Sequence, residues 1–475
     1  MRSVIPSFPP RPRQAFSLGV VLAAICLPSH HVSAADIEAK LVVDTNTEIP
    51  GGPFEAESSG TFTTLYAGSV AGGQLVFNGW VQGEFGIILG QGVYRVDVGG
   101  DEPQLIADTR TCAADPCGQP PDLFFSFGTD LSFDGTTVGF EARLNGFSGA
   151  VGVWTAAGSA LTLVVEEGDP NPSGGVFDTF ESPAVDGGEV AFAERHSGAK
   201  RGIFAAPASG GSARVLADDS TAAPGGGGAL FDPADMRKVA YRDGLLVFRG
   251  ILDNSDHGLY VEDDQGLRVV VDPSTLAPGL DGAFFTDILS FMTDDGDIVF
   301  LGGTPGLSLG RGFYAERDGT LLPEPIMIAR TSNGSVDPCD QSEKLLFLDS
   351  SALGDGGFAF VSGGALYSAR IGTSGLSRLL VTGDTLDGKT IDFLGAGTLH
   401  PEAISDGAVF PLLNFTDGSM GIYCLGIPET SQCSAASVPE RCLSVPEPAS
   451  SMQFVVALTS LALLRRRRSV RMLSA

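Results

Sequence analysis

Asp186-Gly187-Gly188-Glu189-Val190-Ala191-Phe192 combines a tight turn with a short β-rich run that ends in phenylalanine. The pattern occurs seven times in all, at intervals of about 55 residues. The copies begin at Gly72-Gly73, Asp134-Gly135, Asp186-Gly187, Asp243-Gly244, Asp295-Gly296, Asp355-Gly356 and Asp406-Gly407. Gly and Asp favour two-residue hairpin turns, and the runs after them alternate or are β-branched. The repeat therefore predicts an all-β chain.

Two further signatures complete each unit. A small residue, an apolar residue and an aromatic residue follow the turn, as in Gly258-Leu259-Tyr260. An apolar run closed by a turn comes next, as in Leu163-Val164-Val165. The copy that the last unit lacks, Leu41-Val42-Val43, stands before the first unit. Each unit thus holds about four short strands in about 55 residues.

Four strands cannot bury both of their faces alone, whereas sheets stacked radially cover one another and protect their edges. We therefore predict a seven-bladed β-propeller of four-stranded repeats over residues 35–427. The Leu41 strand is expected to complete the last sheet, beside the strands around Phe410 and Tyr423. An open β-solenoid or a pair of sandwiches is the alternative.

Composition limits the classes of partner. The chain has 475 residues and a formal net charge of −28, from 29 Lys and Arg against 57 Asp and Glu. Binding to nucleic-acid phosphates needs a positive face, so we exclude a nucleic-acid partner. No Gly-rich loop stands between a strand and a helix, and the many glycines indicate turns rather than a nucleotide site.

The first 34 residues have the pattern of a secretory signal peptide. An apolar stretch, Ala15 to Leu27, follows a basic segment and precedes Val32-Ser33-Ala34. Small residues at these positions predict cleavage between Ala34 and Ala35. A transmembrane anchor is the alternative, but the apolar run is short for one. We expect the protein to be exported.

The other end carries the most specific motif of the chain. Pro446, Glu447 and Pro448 precede an apolar segment, Met452 to Leu464, and a basic cluster. The cluster consists of Arg465, Arg466, Arg467 and Arg468. This arrangement resembles the PEP-CTERM sorting signal of Gram-negative bacteria. An unprocessed C-terminal tail anchor is the alternative.

The resemblance implies a transmembrane helix within residues 445–468, a cytoplasmic tail at 469–475 and recognition by an exosortase-type processing enzyme. It also implies a location in the cell envelope, on the outer surface or outside the cell, after a transient stay in the inner membrane. The repeats resemble an uncharacterised propeller-like family that often carries such tails, and this second likeness implies no activity.

Six cysteines lie outside the signal peptide, which in an exported protein favours three disulfides. Cys112 and Cys117 flank a turn short enough for a local bridge, and Cys433 and Cys442 could close a small loop in the linker at 428–444. Cys339 and Cys424 then form a long-range candidate pair. Fifteen pairings are possible in principle, and a metal site is the alternative, although no CxxC or His-rich spacing supports it.

No catalytic constellation stands out. His196, His257 and His400 lie in different repeats, without a GxSxG-type nucleophile motif nearby, and we expect them to be solvated loop residues. The acidic turns at 253–256 and 294–297 contain oxygen ligands that could hold Ca²⁺, yet neither matches an EF-hand loop. We assign no catalytic, cofactor or metal residues and no cofactor.

These observations favour an envelope or matrix protein that acts as a binding or structural module. An exopolysaccharide or a surface protein is the expected partner. An exported propeller enzyme, such as a polysaccharide hydrolase or lyase, is the alternative, because one fold hosts many chemistries.

Overall fold

The computed structural model describes residues 39–54, 60–83, 87–100, 102–113, 123–145, 150–195, 202–232, 236, 238–253, 256–280, 282–304, 311–329, 345, 350–372 and 376–427. Within these ranges all regular structure is β-strand, and the strands form seven antiparallel sheets. Six sheets are built from consecutive strands, and we call them blades 1 to 6. The seventh contains strands from both ends of the described chain, and we call it the closing sheet.

The strands follow one another along the chain in this order. Before blade 1 lies β1 (Ala39–Asp44). Blade 1 contains β2 (Thr64–Ala71), β3 (Gln74–Gln82), β4 (Ile88–Asp97) and β5 (Gln104–Asp108). Blade 2 contains β6 (Leu123–Phe133), β7 (Thr137–Asn145), β8 (Val151–Ala157) and β9 (Ala160–Glu166). Blade 3 contains β10 (Thr179–Asp186), β11 (Glu189–Arg195), β12 (Gly202–Pro207) and β13 (Arg214–Asp218).

The second half continues the series. Blade 4 contains β14 (Phe231–Asp232), β15 (Val239–Arg242), β16 (Leu245–Leu252), β17 (His257–Asp263) and β18 (Gly266–Val271). Blade 5 contains β19 (Asp287–Asp294), β20 (Asp297–Gly303), β21 (Arg311–Arg317), β22 (Thr320–Leu321) and β23 (Met327–Ala329). Blade 6 contains β24 (Ser351–Gly354), β25 (Gly357–Ser362), β26 (Ala365–Arg370) and β27 (Leu376–Val381). The closing sheet contains β1, β28 (Thr385–Leu386), β29 (Lys389–Phe393), β30 (Ile404–Ser405), β31 (Ala408–Val409), β32 (Leu412–Phe415) and β33 (Met420–Gly426).

The sheets form a closed ring. Each blade contacts the next one along the chain, and the closing sheet contacts both blade 6 and blade 1. Strand β1 pairs with β33, with Leu41 opposite Tyr423, so the predicted position of the Leu41 strand is confirmed. We call β2, β6, β10, β15, β19, β24 and β30 the inner strands, since they or the residues just before them surround the central cavity described below.

The prediction of seven equivalent four-stranded blades is wrong. Six sheets are regular blades, two of them have five strands, and the seventh sheet is an irregular assembly of seven strands. Prolines account for two interruptions, because proline cannot donate to a ladder. Pro323 and Pro325 separate β22 from β23, and Pro411 separates β31 from β32.

The described residues contain no helix, and hence no helix long and apolar enough to cross a membrane. The membrane helix expected within residues 445–468 lies outside the described part of the chain.

The repeated turns link neighbouring blades at one end of the ring, which we call the turn end. Asp243 and Gly244 both have positive φ angles, 52° and 75°, as a two-residue hairpin turn requires. The Asp186 carboxylate accepts a hydrogen bond from the Gly244 amide at 2.8 Å, and Asp243 does the same for the Asp295 amide. The Asp residues of the repeat therefore join one blade to the next, as well as turning the chain.

Each repeat also contributes to an aromatic cluster in its blade. In blade 4, Phe248 stacks on Tyr260 with ring centroids 5.8 Å apart, and Phe231 packs edge-on against Tyr260 at 4.8 Å. Gly250 leaves room for this ring, because a Cβ there would lie 2.5 Å from Phe231 Cε1. Equivalent clusters occur in three other blades, at Phe62, Phe77 and Tyr94, at Phe177, Phe192 and Phe204, and at Phe285, Phe300 and Tyr314.

A second repeated turn follows the outer strand of several sheets. The Asp272 amide donates to Thr275 Oγ1 at 3.0 Å, and that hydroxyl donates to Asp272 Oδ1 at 2.9 Å. The same Asp–Thr pair recurs at Asp44 and Thr47, at Asp108 and Thr111, and at Asp218 and Thr221. These local bonds fix the direction in which the chain leaves one sheet for the next.

Candidate functional site

A cavity of about 540 Å³ lies at the end of the ring where the inner strands begin, opposite the turn end. Residues on the inner strands, or just before them, line it from all seven sheets. We call it the mouth cavity. Its volume is in the range that holds small-molecule ligands.

β-Bulges place several side chains in this cavity. The ladder between β6 and β7 shifts register between Phe127 and Leu131, which leaves Thr129 and Asp130 outside regular pairing. The ladder between β10 and β11 shifts in the same way around Ser182 and Pro183. Both pairs of residues line the mouth cavity. Bulges re-aim side chains and are common at functional sites.

Ser182 has a strained backbone. Its φ is +49°, whereas every other described non-glycine residue with positive φ is an aspartate. The Ser182 hydroxyl donates to Asp130 Oδ2 at 2.9 Å, which joins the bulges of blades 2 and 3. A serine in this region costs about 1–3 kcal/mol, and such strain is concentrated at functional sites.

A group of carboxylates adjoins Ser182. Glu141 and Glu181 line a pocket next to the mouth cavity, together with Asp130 and Lys238. Burial, reinforced by repulsion from Asp130 and Glu181, raises the pKa of Glu141 to about 7. Part of the Glu141 carboxyl population is therefore protonated near neutral pH.

Glu402, which precedes β30, forms part of one wall of the mouth cavity. Its carboxylate accepts hydrogen bonds from Ser69 Oγ at 2.5 Å, from Ser132 Oγ at 3.0 Å and from the Phe133 amide at 3.3 Å. Ser132 Oγ also accepts a bond from the Val185 amide at 3.1 Å. One carboxylate and one hydroxyl thus connect the closing sheet with blades 1, 2 and 3.

Nearer the turn end, Arg242 connects the remaining blades. Its guanidinium donates to the Phe133 carbonyl at 2.9 Å, and its Nε lies 3.4 Å from Asp294 Oδ1. Asp294 Oδ2 accepts a bond from the Asp355 amide. Burial raises the pKa of Asp294 to about 6, although Arg242 opposes the shift. These contacts link blades 2, 4, 5 and 6 across the ring.

The two described histidines have different surroundings. His400 lines the mouth cavity, and its Nδ1 accepts a bond from the Glu402 amide at 3.2 Å. Its ring also contacts the Leu131 backbone by a hydrogen bond, and burial lowers its pKa. The expectation of a solvated loop residue is therefore wrong for His400. His257 lies away from the cavity, with Nδ1 3.6 Å from Asp287 Oδ1, and His196 falls outside the described residues.

The acidic turn at 294–297 is committed to protein contacts. Asp297 forms a two-pronged ion pair with Arg317, and Asp294 faces Arg242. In the described ranges, no group of three His, Cys, Asp or Glu side chains is arranged to hold a metal ion. The turn at 253–256 is described only in part, since residues 254 and 255 fall outside the ranges.

The residues singled out from the sequence are only partly described. Cys112 and Cys424 each take part in a disulfide. Cys117, Cys339, Cys433 and Cys442 lie outside the described residues, so which cysteines pair with which stays a prediction. The cleavage pair Ala34 and Ala35 also lies outside. The same holds for the sorting motif and its basic cluster, Pro446, Glu447, Pro448, Arg465, Arg466, Arg467 and Arg468.

No role was predicted from the sequence for Asp130, Glu141, Glu181, Ser182 or Glu402. One signal was present, because Pro183 lies within the strand Thr179–Asp186, and proline within a strand indicates a bulge or an edge. Nothing comparable marks Glu402. Its role depends on hydroxyls from two blades that are far from it in sequence.

Several solved structures resemble the chain, among them two β-propeller domains. The β-propeller domain of the Trilobed protease from Pyrococcus furiosus has 10% identity and a TM-score of 0.46, covering 80% of this chain and 100% of that one. The uncharacterized protein lmo1340 from Listeria monocytogenes EGD-e has 11% identity and a TM-score of 0.41, with coverages of 77% and 94%. The Cps50 (Swd1) β-propeller domain of Myceliophteria thermophila has 11% identity and a TM-score of 0.39, with coverages of 76% and 96%.

No curated protein matches the chain. One family model, described as a family of unknown function, matches residues 71–319.

Proposed function

The chain belongs to DUF7453, a family of unknown function, and on that premise we propose a function from the mouth cavity itself. We propose that the protein is an exported binding protein that takes a neutral or amine-bearing saccharide into this cavity. The observation that carries the proposal is the polar wall built by the bulges at Asp130 and Ser182.

The chemistry of this wall suits a hydroxyl-rich ligand. Carboxylates such as Asp130 accept strong hydrogen bonds from sugar hydroxyls, and hydroxyls such as Thr129 both donate and accept. Tyr66 also lines the cavity, and its ring packs against Trp80 at 4.9 Å. A partly exposed aromatic ring held in this way offers an apolar face to a sugar ring.

The charges around the cavity limit the class of saccharide that can bind. The adjoining pocket contains three carboxylates, those of Asp130, Glu141 and Glu181, and one cation, Lys238. A further carboxylate, that of Glu402, lies in another wall of the mouth cavity. The chain as a whole carries a net charge of −28. Arg311 and Lys238 are cations that line the mouth cavity. At the Asp130 wall, where three carboxylates face one lysine, an anionic polyuronate would meet repulsion and a neutral or amine-bearing chain would not.

Binding is favoured over catalysis because His400, which lines the cavity, contacts the backbone on both sides of its ring and is not available as a base. A polysaccharide hydrolase is the second candidate. It is supported by Glu141, whose pKa of about 7 suits a general acid beside a second carboxylate.

The test compares Asp130→Ala with Asp264→Ala, an exposed aspartate in the turn between β17 and β18. Loss of a charged hydrogen-bond partner is expected to weaken saccharide binding about tenfold or more. Equilibrium binding is measured with soluble neutral, amine-bearing and uronate polysaccharides, and new reducing ends are assayed in the same samples.

Binding of neutral or amine-bearing chains that Asp130→Ala weakens and Asp264→Ala preserves supports the proposal. Equal affinities of the two variants, or preference for the uronate, contradict it. New reducing ends that vanish in Glu141→Gln would establish the hydrolase instead.

We also propose that the C-terminal tail is a sorting signal which an exosortase-type enzyme processes at the envelope. The proposal is supported by the motif at 446–448 and the arginines that follow it. Replacing Pro446, Glu447 and Pro448 with alanine is expected to leave the C-terminus intact. Mass spectrometry of the mature protein checks this, and identical C-termini in both forms would refute the proposal.

A further inference from the structure

One wall of the mouth cavity differs in chemistry from the rest. Blades 2 and 3 present Asp130 and Ser182, whereas blade 5 contributes Leu289, Phe291 and Leu301 beside Ser290, Thr293 and Arg311. The blade 5 wall therefore carries an apolar patch among polar side chains.

Leu289 occupies the same kind of position as the polar residues. The ladder between β19 and β20 shifts register between Ile288 and Ser290, and Leu289 is the residue left unpaired. A bulge thus places an aliphatic side chain in the cavity, where the bulges of blades 2 and 3 place Asp130 and Ser182. Leu289 remains 36% exposed, while neighbouring Ile288 is 1% exposed.

From this asymmetry we infer that the ligand is amphipathic: a saccharide head at Asp130 and Ser182 that carries an aliphatic or aromatic group against Leu289. The inference rests on the proposed function and specifies the substrate class of the same site. Apolar surface removed from water contributes about 25 cal/mol per Å², so an exposed leucine in a concave site favours an apolar partner. A plain saccharide would leave this wall uncovered.

The experiment uses the methyl and hexyl glycosides of glucosamine, which share one head and differ only in the alkyl chain. The hexyl glycoside is expected to bind at least about tenfold more tightly, because each buried methylene contributes about 0.8 kcal/mol. Titration calorimetry measures both affinities with the mature, disulfide-bonded protein.

Two variants separate the walls. Leu289→Ser is expected to abolish the affinity advantage of the hexyl chain over the methyl group. Leu105→Ser is the matched control, since Leu105 is 38% exposed on β5 and does not line the cavity. Asp130→Ala is expected to weaken both glycosides by the same factor and keep their ratio. Thermal unfolding of each variant verifies that it is folded.

Equal affinity for the two glycosides overturns the inference and leaves the proposed function standing, as does a hexyl advantage that survives Leu289→Ser. Binding of neither glycoside by a protein that binds polysaccharides also overturns it. Failure of every saccharide is a different result, which refutes the proposed function and this inference with it.

Discussion

The Phe285→Ala substitution is expected to lower the free energy of unfolding by about 3–5 kcal/mol. Phe285 is 2% exposed and packs edge-on against Tyr314, with ring centroids 4.8 Å apart. It also contacts Phe300 at 5.4 Å. Alanine would leave a cavity between these rings, which lie at the centre of blade 5. Urea unfolding monitored by circular dichroism measures the loss.

The chain offers a matched control one residue away. Phe284 is 43% exposed and points out of the cluster that contains Phe285. Phe284→Ala removes the same atoms from a solvated position, and the expected cost is below about 1 kcal/mol. Similar losses in the two variants would show that the edge-on ring is not what stabilises the blade.

Glu402→Ala is the second substitution with a large expected effect, about 3 kcal/mol of unfolding free energy. It removes the acceptor of three hydrogen bonds, and bonds to a charged group contribute about 1.5–3 kcal/mol each before relaxation. Ser69 and Ser132 are almost fully buried, and the Glu402 carboxylate is the acceptor to which both hydroxyls donate. Chemical denaturation quantifies the change.

Glu402→Gln keeps the shape and one acceptor oxygen, and we expect it to cost about 1 kcal/mol. Glu324→Ala, at an exposed position between β22 and β23, is expected to change stability by less than about 0.5 kcal/mol. If Glu402→Ala is no more damaging than Glu324→Ala, the carboxylate does not hold the four sheets together.

The features that sequence reasoning predicted well are those encoded locally. The turn at Asp243-Gly244 needs two residues with positive φ. Asp-Gly is a typical sequence for such a turn, so the residue types alone predict it. The pattern at Gly258 and Tyr260 is equally local, because a Cβ on that glycine would lie 2.7 Å from the tyrosine hydroxyl oxygen. Such constraints repeat in the sequence because they repeat in the structure.

The irregular features could not be predicted in the same way. The breaks at Pro323, Pro325 and Pro411 change how many strands a sheet contains without disturbing the spacing of the turns. A count of turns therefore suggested seven equal blades. The prolines themselves indicate these breaks, but the regular spacing of the turns predicts uniform blades.

The mouth cavity was the least predictable part. Asp130, Ser182 and Leu289 reach it because bulges shift the register of their strands. A bulge depends on how an inner strand fits between two neighbouring sheets, and that fit involves residues far apart in the chain. Glu402 shows the same dependence, since it is more than 250 residues from each serine that it contacts.

The pairing of β1 with β33 has a mechanical consequence. The strands are antiparallel, with Ala39 opposite Leu425 and Asp44 opposite Gly421. Both ends of the described chain therefore leave this ladder at the same end, where the Ile427 amide donates to the Gly407 carbonyl of a repeat turn. Tension between the two ends would peel the ladder open one pair at a time, starting at Ala39. A load on one end alone would pull from the side of the ring opposite the mouth cavity.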